Sequence, residues 1–247
     1  MIKKIMTTKL TLTLSLAAIL LLTGNNLGAA NKSKTDSTSP GQSTMKKSSP
    51  DPDAPKLPFN VVVIKHTVAD YSKWKPLFDA DSINRNAAGF HLIGVARGID
   101  NPNEVEAPFM IDDVQKAKAF TTDPKLKNVM QKAGVISEPN IKFIKVLRMS
   151  DALNSPGDYA EVAHKVKDFD AWLKVFDKEG TATRTNDGLI DGVLARGIDD
   201  PNLVYLVFKI TDLAKAKAAF DNPARQKIMQ ESGVVGKPEV YFGRDQQ

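Results

Sequence analysis

A nine-residue segment, called the repeated phrase below, occurs twice in nearly identical form. This internal repeat constrains the fold of the chain more than any other feature. The segment 194–202 reads LARGIDDPN, and the segment 95–103 reads VARGIDNPN. Matched residues first stand 98 positions apart and then keep a constant offset of 99. The pairs are Trp74/Trp172, Arg85/Arg184, Gly89/Gly188, Arg97/Arg196, Pro102/Pro201, Pro124/Pro223, Gly134/Gly233 and Phe143/Phe242. An offset held over this length indicates a tandem duplication, with units at 58–150 and 151–247.

The same order of sequence patterns runs through both units. A short β-branched strand comes first, and an aspartate, Asp70 or Asp168, then stands where a helix N-cap is expected. Aromatic residues at i, i+3 and i+7 follow, which predicts a buried helix face with Trp74 and Trp172 in the core. Two strands, a helix interrupted at a proline, and a last strand complete the unit. The order β-α-β-β-α-β predicts an α+β fold built from two ferredoxin-like units.

The repeated phrase lies between the second and third predicted strands of each unit. Because Asp, Asn and Pro favour turns, we interpret the phrase as a structural connection. The third strand is apolar except for Lys209 in the second unit, LVYLVFKI, but carries Glu104, Glu106 and Pro108 in the first. Proline cannot donate to a strand ladder, so we expect a bulge at Pro108 and a lopsided pocket.

The basic character of the chain comes from its N-terminal end. The formal net charge is +5, yet residues 58–247 carry as many acidic as basic side chains. A nucleic-acid partner is therefore not expected. The units 58–150 and 151–247 differ in net charge, at +3 and −3, which predicts that one unit docks on the other.

The first 57 residues have the composition of an export signal and a linker. Residues 1–30 combine lysines with an apolar segment too short for a comfortable membrane span, and Gly28 and Ala30 predict cleavage after Ala30. An uncleaved anchor is the alternative. Residues 31–57, rich in Ser, Thr, Pro and Lys, are predicted to be disordered. Without cysteine the chain forms no disulfide and carries no lipid-modified thiol. We expect an exported bacterial protein, periplasmic or secreted, with no stable membrane span after cleavage.

Two of the three histidines, His66 and His164, occupy matching positions near the end of the first strand. Alternation places His66 on one face with Val62 and Ile64. The pair is a candidate for acid–base or ligand-binding groups in a shared cavity. The alternative is a buried imidazole in each unit that bonds a helix end or a backbone carbonyl. No metal site is expected, because no dense cluster of His and carboxylate residues has ligand spacing.

Arg97 and Arg196 stand on the second strand of each unit. We expect the small residues beside them, such as Ala96, to face a helix, so that the arginines point to the barrel interior or the seam between units. There they could grip a ligand carboxylate or form an ion pair across the seam. Arg85 and Arg184 follow the first helix and are expected to be solvated surface charges.

Four motifs recur in both units and together resemble a known family. They are H-x-V-x-D-[YF]-x-x-W-x-x-x-F-D, R-G-I-D-[ND]-P-N, K-A-K-A and M-Q-x-[AS]-G-V. Over 60–148 and 158–244 the chain resembles the dimeric α+β barrel superfamily, whose best-known branch is the antibiotic biosynthesis monooxygenase (ABM) domain. The resemblance implies that the two units pair sheet to sheet as an intramolecular dimeric α+β barrel. Members include cofactor-independent oxygenases and haem degraders. The haem degraders' set of Asn, Trp and His does not match here, so we expect no haem or other cofactor.

These observations favour a binding protein over an enzyme. We expect a monomer with an internal pseudo-dimer that holds a small, partly apolar ligand between the repeats, with Arg97, Arg196, His66 and His164 as ligand-binding residues. The arginines would allow that ligand to be acidic. One alternative is a cofactor-independent monooxygenase or isomerase that uses His66 or His164 as its base. Another is a structural or protein-interaction module with a filled barrel.

Overall fold

A computed structural model describes residues 55–246. The predicted signal peptide and nearly all of the predicted linker lie outside the described residues. Within the described range, no helix is long and apolar enough to cross a membrane.

The first unit contains five strands and four helices. The strands are β1 (Phe59–Thr67), β2 (Phe90–Leu92), β3 (Ala96–Gly98), β4 (Glu104–Ile111) and β5 (Asn140–Met149). The helices are α1 (Tyr71–Ala80), α2 (Ser82–Ala87), α3 (Val114–Thr121) and α4 (Pro124–Lys132). A short 3-10 turn at Asp151–Leu153 leads to the second unit.

The second unit repeats this order with fewer breaks. Its strands are β6 (Asp158–Val166), β7 (Leu189–Gly197), β8 (Leu203–Ile210) and β9 (Val234–Asp245), and its helices are α5 (Phe169–Asn186), α6 (Leu213–Asp221) and α7 (Pro223–Glu231). The extra residue of this unit falls in α5, where Gly180 adopts a φ of 78° and kinks the helix. Glycine tolerates that left-handed conformation, which other residues rarely adopt.

The predicted helix boundaries are confirmed. The Asp70 side chain accepts a hydrogen bond from the Ser72 amide at 2.8 Å, and Asp168 accepts one from the Ala171 amide at 2.8 Å. Prolines open α4 and α7, where the first helical amide needs no partner within the helix.

The strands close into a barrel. Eight of them are hydrogen-bonded in the order β1-β5-β7-β8-β6-β9-β3-β4, and β4 pairs back to β1, while β2 lies beside β4. All neighbours are antiparallel, and two seams, β5–β7 and β3–β9, join strands of different units. Val61 of β1 packs with Ala163 of β6 although their strands are not neighbours, so these side chains meet inside the barrel. The α+β prediction is confirmed.

The repeated phrase makes reciprocal backbone contacts across the two seams. The Ile99 amide donates to the Phe242 carbonyl at 2.9 Å, and the equivalent Ile198 amide donates to the Phe143 carbonyl at 2.9 Å. Each phrase therefore extends the last strand of the other unit, which explains why the chain contains it twice.

Ion pairs between the units follow the same reciprocity. Lys217 of α6 pairs with Asp100 at 2.6 Å, and the equivalent Lys118 of α3 pairs with Asp199. Two further pairs join a lysine of the first unit to a glutamate of the second, namely Lys65–Glu161 and Lys142–Glu239. In all four of these pairs, a lysine of one unit meets an acidic side chain of the other.

The distortion expected at Pro108 appears in its neighbour. β4 keeps an unbroken register with β1 through Pro108, which lies opposite Val63. The strand on the other side is interrupted instead, between Leu92 and Ala96. In the second unit Val207 takes the place of Pro108, and β7 runs through the same point with a bulge after Asp191. Proline offers no N–H to the adjacent strand, so that strand, rather than β4, loses its continuity.

Candidate functional site

His66 and His164 lie on the outer, helix-facing side of the barrel. The His66 ring packs edge-on against Trp74 with 5.6 Å between centroids, and His164 packs in the same way against Trp172 at 5.5 Å. Both tryptophans are buried, as predicted. The histidines occupy equivalent places, but each faces the helices of its own unit, so they do not share one cavity.

Each imidazole lines a mostly apolar cavity between the sheet and the helices. The first-repeat cavity, of about 70 Å³, is lined by His66, Trp74, Phe78, Arg85, Phe109 and neighbouring aliphatic residues. The second-repeat cavity, of about 90 Å³, is lined by His164, Trp172, Phe176, Arg184, Phe208 and their neighbours. Both are far smaller than the roughly 300–1,000 Å³ pockets that hold drug-sized ligands.

Neither histidine is satisfied by the protein. His66 and His164 are only 6% and 4% exposed, and neither nitrogen of either ring has a hydrogen-bond partner. The alternative of an imidazole bonded to a helix end or a backbone carbonyl is therefore wrong. Burial lowers the pKa of each histidine to about 4, which keeps both rings neutral at pH 7.

Arg85 and Arg184 close one end of these cavities, so the expectation of solvated surface charges is wrong. The Arg85 guanidinium lies 3.8 Å from the Phe78 ring centroid and donates to the Phe78 carbonyl at 2.6 Å. Arg184 donates to both carboxylate oxygens of Asp191, at 2.6 and 2.7 Å. A planar guanidinium stacks on an aromatic face and so completes an apolar wall.

Arg97 and Arg196 do not reach the interior of the barrel. Their Nε atoms donate to the carbonyls of Pro102 and Pro201, at 2.6 and 2.8 Å, and so fasten the repeated loop of their own unit. They line none of the cavities described here. The predicted placement at the interior or in a seam-crossing ion pair is wrong, and their ligand-binding role stays a prediction.

The small residues beside the arginines face inward instead. Ala96 packs with Tyr159 and Tyr241, and Ala195 packs with Tyr205, inside the barrel. The interior must hold large tyrosines, and alanine on the opposite strands leaves room for them.

A buried polar cluster inside the barrel was not found by sequence reasoning. Lys65 Nζ donates to Glu161 Oε1 at 3.1 Å and lies 3.3 Å from Glu106 Oε2. Tyr159 Oη donates to Glu106 Oε1 at 3.0 Å. Glu106 and Glu161 are 4% and 2% exposed. Lys65 and Glu161 come from different units, so this cluster spans the interior.

The pKa values of the two buried glutamates are shifted in opposite directions. Burial, and next the charge of Glu161, raise the pKa of Glu106 well above its usual range. Burial acts to raise the pKa of Glu161 too, but the hydrogen bond with Glu106 and the charge of Lys65 lower it overall. Of the two carboxyl groups, Glu161 is therefore the stronger acid and forms the ion pair with the ammonium of Lys65.

The cluster escaped prediction because its members do not repeat. The residues matching Lys65, Glu161 and Glu106 in the other unit are Ala163, Val63 and Tyr205. Attention to repeated residues therefore excluded it. The signal in the sequence was Glu106, a charged residue between Val105 and Ala107 in the middle of a strand. Among residues 55–246, no group of three or more His, Asp or Glu side chains is placed to hold a metal ion.

No family model and no curated protein matches the sequence significantly, but several solved structures align with most of the chain. An anthrone oxidase-like protein aligns over 76% of this chain and 92% of its own, with 16% identity and a TM-score of 0.49. A monooxygenase-like protein from Listeria innocua aligns over 77% and 95%, with 13% identity and a TM-score of 0.44. A heme-degrading enzyme from Listeria monocytogenes aligns over 74% and 97%, with 10% identity and a TM-score of 0.37.

A further neighbour, from Listeria monocytogenes, is a ferredoxin fold protein related to antibiotic biosynthesis monooxygenases. At such low identities this likeness concerns the fold alone. The chemistry of this chain rests on its own residues. The two helix–sheet cavities offer one neutral imidazole each, which can both donate and accept a hydrogen bond. The barrel interior offers carboxyl, ammonium and phenol groups.

Proposed function

We propose that the chain is a single-chain form of a barrel that two subunits would otherwise build. The reciprocal bonds of Ile99 and Ile198 support this, because a two-fold related pair makes each contact twice with the roles exchanged. The closed order of eight strands supports it too, since each unit supplies half of the barrel wall.

We propose further that the protein binds a small, mostly apolar molecule in each helix–sheet cavity. The observation that carries this proposal is the unpartnered imidazole of His66 and of His164, buried against an apolar cavity. A buried polar group without a partner costs about 1–3 kcal/mol, and a ligand with one hydrogen-bonding group removes that cost. A neutral ring suits a hydroxyl or amide group better than a carboxylate. The site thus lies within each repeat, and an acidic ligand is no longer favoured.

Native mass spectrometry after incubation with a small-metabolite extract tests this proposal. We expect adducts of up to two ligands per chain, one ligand with His164→Phe, and none with the double variant His66→Phe/His164→Phe. The matched control is His91→Phe, because His91 is exposed and pairs with Asp112 at 2.9 Å. Retention of both ligands by the double variant would contradict the proposal.

An enzyme is the second candidate, because the same unpartnered imidazoles could accept a proton from a bound substrate. The reaction would be of the cofactor-independent oxygenase or isomerase type. A pKa of about 4 makes each ring a weak base at neutral pH, which favours binding over turnover. A captured ligand that changes mass on prolonged incubation would decide for the enzyme. A mass unchanged by any extract would favour the structural or interaction module.

We also propose that the protein is exported with residues 1–30 as its signal. The apolar segment and the small residues before Asn31 support this. Terminal sequencing of the protein purified from a bacterial periplasm or culture medium should begin at Asn31. A chain that still begins at Met1 in the membrane fraction would indicate the anchor instead.

A further inference from the structure

The open end of the barrel holds a polar cavity separate in chemistry from the helix–sheet cavities. Its volume is about 270 Å³, and both units line it. Lys65, Glu161 and Tyr241 border it on the side of the buried cluster, and Glu104, Glu138 and Glu239 are among its other lining residues. His66 borders both this cavity and the first-repeat cavity.

The lining attracts positive charge. It contains four glutamates and one lysine, so hydrogen-bond acceptors outnumber cationic donors. Two of the glutamates also pair with lysines outside the lining, Glu138 with Lys127 at 3.2 Å and Glu239 with Lys142 at 2.8 Å. Carboxylates grouped in a cleft with low-dielectric walls raise the local concentration of cations.

The position of the Lys65 ammonium group shows that a cation fits at this cavity. It lies 3.1 Å from Glu161 Oε1 and 3.3 Å from Glu106 Oε2. It also lies 3.9 Å from the centroid of the Tyr241 ring. Carboxyl groups on one side and an aromatic face on another form a cation site, occupied here by a group tethered to the chain.

Besides the ring nitrogens of His66, two buried polar atoms at the cavity lack partners. They are Tyr241 Oη and Glu161 Oε2, in residues that are 8% and 2% exposed. Among the described residues, none forms a hydrogen bond with the phenol oxygen of Tyr241. A ligand with several N–H donors would satisfy it.

We propose that the open end of the barrel binds a small organic ammonium ion, which takes the place of the Lys65 ammonium between Glu161 and the ring of Tyr241. The flexible stem of Lys65 then carries its own charge outward to the other glutamates of the lining. The site lies between the units and differs in charge from the helix–sheet cavities, so it stands independently of the ligand proposed for them.

Three probes of equal length and different charge test the proposal: propylammonium chloride, 1-propanol and sodium propionate. Each is titrated into the ¹⁵N-labelled full chain at matched ionic strength. We expect propylammonium alone to shift the amide signals of Glu161 and Tyr241 in a saturable way. An equal response to the three probes, or a preference for propionate, overturns the proposal.

Substitutions distinguish binding at the proposed ammonium site from a general effect of the protein's charge. Lys65→Met removes the tethered competitor, and we expect propylammonium to bind about tenfold more tightly or better. Adding Glu161→Gln in the same chain should abolish that gain. Lys145→Met, an exposed lysine on β5, is the matched control and should leave the affinity unchanged. Equal affinities of the wild type and Lys65→Met, with both shown to be folded by their NMR dispersion, overturn the proposal.

Discussion

At the scale of single residues, the most informative groups are those that the fold leaves unsatisfied. The sequence predicted His66 and His164 as a matched pair and placed them correctly on one face of their strands. It could not show that they lack partners, because partners depend on three-dimensional packing. The polar cluster of Lys65, Glu106 and Glu161 was beyond reach for a related reason. Its members meet only when strands distant in sequence close the barrel.

The twin imidazoles predict a pH dependence of stability. Their pKa in the folded protein is lowered to about 4, whereas an unfolded histidine titrates near pH 6.5, so the unfolded chain binds protons first as the pH falls. Each neutral ring therefore contributes fully to the stability of the fold above about pH 6.5. That contribution, about 3 kcal/mol for each ring, is lost progressively as the pH falls towards about 4. Urea unfolding from pH 8 to pH 4 measures this. The variant His66→Gln/His164→Gln should lose the steep part of the curve, and an unchanged slope would refute the prediction.

We expect the same substitution, Glu to Gln, to change the free energy of unfolding by very different amounts at the two buried glutamates. Burial raises the pKa of Glu106 well above its usual range and so favours the neutral acid, which a neutral amide resembles, so Glu106→Gln should change the free energy of unfolding by less than about 1 kcal/mol at pH 7. Glu161 is the ionised partner of Lys65, and Glu161→Gln should cost about 3–5 kcal/mol because it leaves a buried ammonium without a counter-charge. Chemical denaturation of both variants compares them directly. Equal losses of unfolding free energy in the two variants would contradict the prediction.

At the scale of strands and helices, the sequence predicted element type and order well. The caps at Asp70 and Asp168 and the prolines of α4 and α7 could be predicted because they depend only on residues close by in the sequence. The orientation of the second strand was predicted wrongly because alternation defines two faces without saying which one is inside. The tyrosines across the barrel decide that question, and they belong to other strands.

The contrast between Pro108 and Val207 gives a prediction at this scale. Val207→Pro should interrupt β7 in the way that Pro108 interrupts the strand between β2 and β3. We expect it to lower the free energy of unfolding by about 3 kcal/mol. The reverse substitution, Pro108→Val, restores an N–H and should slow hydrogen exchange in the segment from Ile93 to Val95. Thermal unfolding and exchange measured by NMR test the pair. A neutral Val207→Pro variant would show that the missing N–H does not cause the gap.

At the scale of the whole molecule, charge and seam contacts predict how separated halves behave. Residues 58–150 and 151–247, produced as two chains, should form a one-to-one complex in preference to either self-pair. The reasons are their opposite net charges and the pairs Lys65–Glu161 and Lys142–Glu239. A self-pair would lose both pairs, because the residue that matches Glu161 in the first unit is Val63 and the residue that matches Lys65 in the second unit is Ala163. Native mass spectrometry of the mixture measures the preference. Homodimers in statistical proportion would refute it.

The unequal interior of the barrel has a consequence for how such a protein can evolve. In an assembly of two identical copies, every inward-facing residue appears twice, so a lysine at position 65 would bring a second ammonium with it. Joining the copies in one gene frees each position to change alone. Here Lys65 stands opposite Ala163 in the alignment of the repeats, and Glu161 opposite Val63. A single chain can therefore hold one such charged pair in its interior, whereas an assembly of two identical copies would have to hold it twice.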